Sequence, residues 1–458
     1  MFHIKKKNKK TGESINKYRK KYILKMYFFL YLYNIDYISI LSFLQTMQKC
    51  IVIIYQKNMP FHDYEIKAFI NISMKNEIRL IIFSETLSPQ NLFFKEKFKK
   101  IGIFLQEYTD LESLSNKIQK LQTIYDILYI DTLTESLIQQ SCTLKKSLKI
   151  PVTPQYSLFQ NKSEQRILLE KYYKKPEVIS KASKIQELSF VNIKKDIWIP
   201  CIIKPPIWIE SSWVALVYNK IDLEKYKEDF SHQTFCLVEE YIDGSMHSID
   251  YFVDEKQNIY TSPPIEMYLA QNLEINDFFV YCCKVFKNMQ SEIPSWKLRT
   301  FITDTVKACC IKNSFIHHEF KQTTKWELKT IEINGRIWGR RLKILREAYG
   351  IELYNLLTQK KDLLNINKTH NFAAFAIYPP QPWILINYNY KLLEQIRALP
   401  SFLSLKIFPE RYKNQKIWLT RYGFWNIGMI YLKNINNEQF AEDYHFIEKN
   451  YKNLLFLR

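Results

Sequence analysis

From Lys49 onward, apolar runs of strand length alternate with stretches whose apolar residues recur at helical spacing. Cys50–Tyr55, Ile78–Phe83, Ile101–Leu105 and Ile124–Ile130 are rich in β-branched and aromatic residues, and Gln90–Lys100 and Leu111–Leu121 read as helices between them. Strands joined by helices predict a small parallel sheet with helices packed on it. No Gly-x-Gly-x-x-Gly follows any of them, so dinucleotide binding is not predicted. Pro151–Pro154 marks a boundary. Beyond it, a helix from Asn161 to about Tyr173 has Asn161 suited to its N-cap. Trp198–Lys204, Phe235–Ile242 and Ser248–Val253 read as strands, and Ser295–Lys312 as an amphipathic helix. The end of the chain is α+β, with Phe372–Tyr378, Leu392–Leu399, Ile417–Thr420 and Gly428–Leu432 before a helix from Glu438. The fold class expected is therefore α/β followed by α+β.

The chemically specific stretch runs from Ser314 to Arg341. Phe315–Lys321 and Glu327–Asn334 flank Gln322–Trp326, a polar connection of hairpin length. A ladder centred on Lys325–Trp326 sets Glu319 opposite Glu332. Strict alternation then puts His317, Glu319 and Lys321 on one face with Thr330, Glu332 and Asn334. His318, Phe320, Ile331 and Ile333 fall on the other, which suits a core. Two carboxylates facing each other across a strand pair repel unless a cation lies between them or one is protonated. With the Asn334 carboxamide two residues on, the set suits magnesium, which keeps water and phosphate oxygens as its remaining ligands. A solvated charged hairpin face is the plainer alternative. His317 would touch phosphate or substrate, or be a polar neighbour without a role; His318 suits a core hydrogen bond.

The 458 residues are too many for one ordinary core. A formal charge of +20 invites a nucleic-acid or membrane partner. Its distribution argues against both, because residues 1–25 hold ten Lys or Arg against only Glu13, and the remainder is dispersed. The apolar run Met26–Ile35 that follows stops at Asp36, well short of the roughly 20 residues a span requires. The eight cysteines form no Cys-x-x-Cys or Cys/His zinc spacing, and a reducing cytoplasm fits them. Cys282–Cys283 and Cys309–Cys310 fall in apolar runs that read as helical.

The hairpin residues Glu319-Phe-Lys321 and Glu332-Ile-Asn-Gly-Arg336, continued by Ile-Trp-Gly-Arg340, resemble the metal-binding end of the ATP-grasp superfamily, in its carboxylate–amine ligase branch. Other stretches match that family in order. Lys162 and Lys204, in Pro200-Cys-Ile-Ile-Lys-Pro205, resemble the two lysines that reach the nucleotide phosphates. Phe235–Ile242 looks like the hinge that holds adenine, implying acceptance of the amino proton by the Glu240 carbonyl and donation by the Ile242 N–H. Glu239 and Tyr241 stand beside them. Arg336 matches the arginine that steadies the transferring phosphoryl group or the tetrahedral intermediate. The sequence departs from the family in three places. The loop from Pro206 to Trp213 has no glycine, leaving Ser211 and Ser212 as donors beside Trp208 and Glu210. Met246 replaces a frequent acidic residue, and Arg340 stands where serine is expected.

The resemblance implies a basic N-terminal extension over 1–46, a pre-ATP-grasp α/β domain over 47–150, a nucleotide- and metal-binding domain over 151–365 and a C-terminal α+β subdomain over 366–458. It implies ATP with Mg2+, Mn2+ being able to substitute, and a cytoplasmic ligase joining a small carboxylate to an amine through an acyl phosphate. It implies no specific nucleic acid and no transmembrane segment, and a homodimer is compatible with it. Two alternatives stand beside it. One is a degenerate relative that binds nucleotide without ligation, and the other is a nucleic-acid or membrane-surface binder working through residues 1–25.

Overall fold

The structure is a computed structural model. It describes residues 47–457, apart from 60, 76, 208–212, 276, 287–292, 381–382, 409–415 and 418–425. The basic segment, the run Met26–Ile35 and the loop residues Trp208, Glu210, Ser211 and Ser212 lie outside the described residues. Among the described residues no helix is long and apolar enough to cross a membrane.

The first unit is a four-stranded sheet in the order β3-β2-β1-β4, built from β1 (Gln48–Ile54), β2 (Arg79–Ser84), β3 (Ile103–Glu107) and β4 (Tyr125–Thr132). All its pairings are parallel. Helices α1 (Asp63–Lys75), α2 (Pro89–Lys99), α3 (Leu111–Gln122) and α4 (Ile138–Ser147) connect or follow the strands. The strand run Cys50-Ile-Val-Ile-Ile54 shows why it reads as continuously apolar. Cys50, Val52 and Ile54 enter one core and Ile51 and Ile53 another, so both faces are covered.

Helix α5 (Lys162–Tyr173) opens the next unit, and the Asn161 carboxamide oxygen caps it by accepting from the Ser163 and Glu164 amides at 3.0 and 3.4 Å. A small antiparallel sheet follows in the order β5-β8-β6-β7, formed by β5 (Ser180–Lys184), β6 (Cys201–Lys204), β7 (Ala215–Val217) and β8 (Phe235–Glu240). Helices α6 (Phe190–Asp196) and α7 (Lys220–Asp229) contribute Ile193, Leu223 and Tyr226 to its core.

The large sheet has nine strands. Its path begins with β14 (Leu328–Asn334), β13 (Ser314–Gln322), β9 (Ser245–Val253), β11 (Ile265–Leu269) and β12 (Val280–Val285). It continues through β15 (Asn371–Ile377), β19 (Gly428–Asn434) and β17 (Phe402–Ile407), with β10 (Ile259–Thr261) beside β9. The C-terminal strands thus extend the sheet that carries the hairpin. Helices α8 (Ser295–Ala308), α9 (Gly339–Tyr349) and α10 (Asn355–Gln359) lie between these strands in sequence. Beyond them come β16 (Trp383–Tyr388), α11 (Tyr390–Arg397), β18 (Lys416–Ile417), α12 (Asn437–Asn450) and β20 (Leu455–Leu457). Leu392–Leu399 is mostly helix α11, and Cys282 and Cys283 lie in strand β12 rather than a helix. A six-residue apolar run cannot be assigned by periodicity, and here the neighbouring strands β11 and β15 decide it. All eight cysteines are unpaired, and all but Cys310 are buried.

Polar contacts join the first unit to the large sheet and the segments beside it. The Phe315 amide of β13 donates to the Tyr129 hydroxyl at 2.8 Å. Lys145 Nζ lies 4.0 Å from the centre of the Tyr129 ring and donates to the Asn313 carbonyl at 3.1 Å. The Tyr354 hydroxyl donates to Asp131 Oδ2 at 3.2 Å.

Gly244, between β8 and β9, has φ +122°, and a Cβ there would stand 2.0 Å from the Gln322 carbonyl oxygen. Gly244→Ala therefore meets both backbone strain and a backbone clash. It should lower stability by at least about 1–3 kcal/mol, read as a drop in the urea midpoint; an unchanged midpoint would refute the assigned close approach.

Candidate active site

The small sheet and the hairpin face each other across a cleft of about 900 Å³, open solvent at its mouth included. One wall carries Ile202, Lys204 and the strand end Glu239–Ile242; the other carries Glu319, Lys321, Ile331 and Glu332, with Lys162 between. Apolar side chains such as Met246, Phe278 and Val280 line the cleft together with the charged ones.

The hairpin pairs Glu319 with Glu332 and His317 with Asn334, as the spacing predicts. Beyond them the register shifts, so that Phe320 pairs with Thr330 and Lys321 with Lys329. Ile331 is the extra residue of this bulge. Thr330 consequently moves to the core side, where its hydroxyl meets His318 Nε2 at 3.3 Å, and Ile331 lines the cleft. This reverses the expected faces of those two residues. Lys321 is buried, and its Nζ donates to the Ile242 carbonyl at 2.8 Å, 5.0 Å from the centre of the Tyr241 ring.

Four buried cations organise the carboxylates. Lys162 Nζ lies 2.7 Å from Glu332 Oε1. Burial alone would raise the Glu332 carboxyl, but Lys162, with Lys204 and Arg336 further off, holds it below its ordinary range. Glu239 is gripped on both oxygens, by Lys204 at 2.6 Å and by Arg166 Nε at 2.6 Å. These two charges outweigh its burial and bring it down to about 2. The Glu239 side chain thus holds Lys204 and Arg166 together. Arg336 Nη2 lies 2.7 Å from Glu135 Oε2, just beyond β4, so the first sheet reaches into the site.

Glu319 accepts or shares a proton with His317 Nε2 at 3.3 Å, and His317 Nδ1 is 3.0 Å from Asp250 Oδ1. Asp250 is in turn paired with the fully buried Arg341. Asn334 is buried, and its Oδ1 has no hydrogen-bond partner. An orphaned buried oxygen beside two facing carboxylates is the donor set a hard divalent cation takes. No group of three His, Cys, Asp or Glu side chains suited to a metal occurs among the described residues, so phosphate and water oxygens would have to complete the shell.

The predicted residues thus divide. Lys162, Lys204, Glu239, Glu240, Tyr241, Ile242, Glu319 and Glu332 line one cleft, whereas Asn334 and Arg336 are buried next to the hairpin's end. Ser211 and Ser212 lie outside the described residues. Arg166 and Glu135 were missed. Arg166 carried a signal, since it follows Lys162 by four positions and so shares its helix face; Glu135 had none, its partner lying 201 positions away.

Residues 197–342 match the family model of the ATP-grasp domain. Among solved structures, the L-amino acid ligase from Bacillus licheniformis superposes with a TM-score of 0.63 at 16% identity, over 90% of this chain and 99% of that one. N5-carboxyaminoimidazole synthetase from Staphylococcus aureus, complexed with ADP, gives 0.59 at 15% identity, over 86% and 96%. Phosphoribosylglycinamide synthetase from Anaerococcus prevotii gives 0.54 at 14% identity, over 90% and 100%. No curated protein matches the sequence. Residues 197–342 thus match the ATP-grasp domain model, and the fold over most of the chain is similar to that of these solved ligases.

Glu239→Gln would leave two buried cations short of a charge and should cost about 3–5 kcal/mol at pH 7. Because the folded-state carboxyl of Glu239 is depressed to about 2, its contribution is full above the ordinary carboxylate range and is lost as pH falls through about 2. The gap between wild type and Glu239→Gln in urea melts should therefore narrow from pH 6 to pH 3. A gap that stays constant would rule out an ionised Glu239.

Proposed function

We propose that the protein is an ATP-dependent ligase that joins a carboxylate to an amine through an acyl phosphate, releasing ADP and phosphate. The observation that carries this is the shared cleft: two lysines, a hinge strand and the facing pair Glu319–Glu332 line a single space, with the orphaned Asn334 oxygen at the end of the same strand. ATP is the first substrate. The Ile242 carbonyl is already taken by Lys321, so the Glu240 carbonyl and the Ile242 amide are the hinge groups left for adenine. Lys162 and Lys204 then bind the phosphates, exchanging part of their contact with Glu332 and Glu239 for phosphate oxygens.

Glu319, Glu332 and Asn334 would hold magnesium or manganese, which when bound offsets charge between the phosphates. Asp250 and His317 hold Glu319 in orientation from behind. The substrate carboxylate attacks the γ-phosphorus, ADP departs, and the amine displaces phosphate from the mixed anhydride. Arg336, two positions beyond Asn334, would meet the negative charge that grows during these steps, and its planar fork suits an oxyanion. Glu135 positions that arginine.

Turnover should produce ADP and phosphate in equal amounts with the ligated product, measured by coupled assay and chromatography across acid and amine panels. AMP and pyrophosphate as stoichiometric products would overturn the γ-phosphorus mechanism. Glu332→Gln should abolish magnesium-dependent turnover with an unchanged far-UV spectrum. Arg336→Ala should keep ATP affinity and lose at least about 100-fold in kcat, the scale of one transition-state donor; normal turnover would remove Arg336 from the mechanism.

A further inference from the structure

Beside the cleft stands an arginine without a counter-charge. Arg340, in the first turn of α9, has its guanidinium 5.3 Å from the centre of the Trp338 ring. Its hydrogen bond to the Tyr378 hydroxyl is long, at 3.5 Å. It is half-buried, and among the described residues no carboxylate lies within ion-pair distance of it. This sets it apart from Arg166, Arg336, Arg341 and Arg346, each of which holds an acid. The surroundings are themselves electropositive. Burial and then the charges of Lys406 and Arg340 push neighbouring His62 down to about 4, against the opposing pull of the exposed Asp63.

Ring contacts tie this place to the reacting end of the cleft. The Trp338 ring lies 5.3 Å from that of His317, and His317 touches Glu319. Cys283, on β12, has both Arg340 and Glu319 within electrostatic range. Trp338 and His317 thus link Arg340 to Glu319.

We propose that Arg340 binds an anionic group, carboxylate or phosphate, on the substrate that reacts at the γ-phosphate, with Trp338 and Tyr378 bordering the slot. This rests on the ligase reading above and narrows it. The reacting carboxylate must sit at the phosphates, so the group on Arg340 is a second anion. A planar guanidinium with most of its donors unengaged meets two oxygens of such a group in a fork. The protein then selects a substrate carrying at least two acidic groups, or one acid and one phosphate, over a neutral or singly charged one.

The test is calorimetric titration of the full chain. Wild type, Arg340→Ser and Arg340→Lys are first titrated with magnesium and a non-hydrolysable ATP analogue. Succinate, L-glutamate, ribose 5-phosphate and inorganic phosphate are then titrated onto the analogue complex. Wild type should bind a carboxylate or a phosphate probe, and the class that binds identifies the group. Arg340→Ser should weaken that probe about 10- to 100-fold, the usual range for a lost charged hydrogen bond, with analogue affinity unchanged. Arg340→Lys should fall between, and it supplies the comparison if the serine variant does not fold. Equal probe affinity in wild type and variants would overturn the inference, as would a wild-type analogue complex that binds none of the four probes. Failure of wild type to bind the analogue would remove the ligase reading, and this inference with it.

Discussion

An ionised carboxylate survives inside a protein only where cations hold it, and the arrangement of this cleft follows from that constraint. Glu239 lies on β8, an interior strand of the small sheet, Arg166 and Lys162 on α5, Lys204 on β6 and Glu332 on the hairpin. Each pair joins two separate elements, so charge balance fixes how the small sheet, the helix and the hairpin meet. The same pairs suit the anion of the proposed function. Under the proposed function, a phosphate oxygen arriving at Lys162 or Lys204 would displace a carboxylate contact that already exists, and the lysines would need no new burial to receive it. A divalent cation carried with the nucleotide would in turn replace the positive charge that Glu332 loses.

Much of this was legible in the sequence because strand periodicity is simple. The Glu319–Glu332 and His317–Asn334 pairings follow from alternation about a short turn. The bulge was not legible. One extra residue leaves no mark on composition, yet it turned Thr330 inward and Ile331 into the cleft. Strand β12 was misread for the related reason that a short apolar run has no period of its own. Its identity comes from the strands that flank it. Lys162, Lys204 and the hinge came from motif order, and the structure brings them to one space. Arg166 lay one helical turn beyond Lys162, whereas Glu135 depends wholly on how two sheets dock.

That docking also sets the position of Arg336. Glu135 follows β4, whose Tyr129 and Asp131 are fastened to Phe315 and Tyr354. The position of Arg336 is thus tied to a sheet that holds none of the cleft-lining residues. Changes in the apolar core beneath β4 should be felt at Arg336 before they are felt at the hinge, which belongs to another sheet and another core.

Arg340 shows the other side of the same constraint. Burying an unpaired cation costs several kcal/mol even after relaxation. Stacking on Trp338 returns roughly 0.5–2 kcal/mol, and a neutral hydroxyl at the edge of hydrogen-bond range adds little. The balance stays unfavourable in the free protein, and partial exposure moderates it without removing it. The buried arginines Arg336, Arg166 and Arg341 are instead matched by Glu135, Glu239 and Asp250. A position that forgoes the match loses stability in the free state and gains it when an anion arrives, which is the energetic signature of a binding residue and not of a structural one.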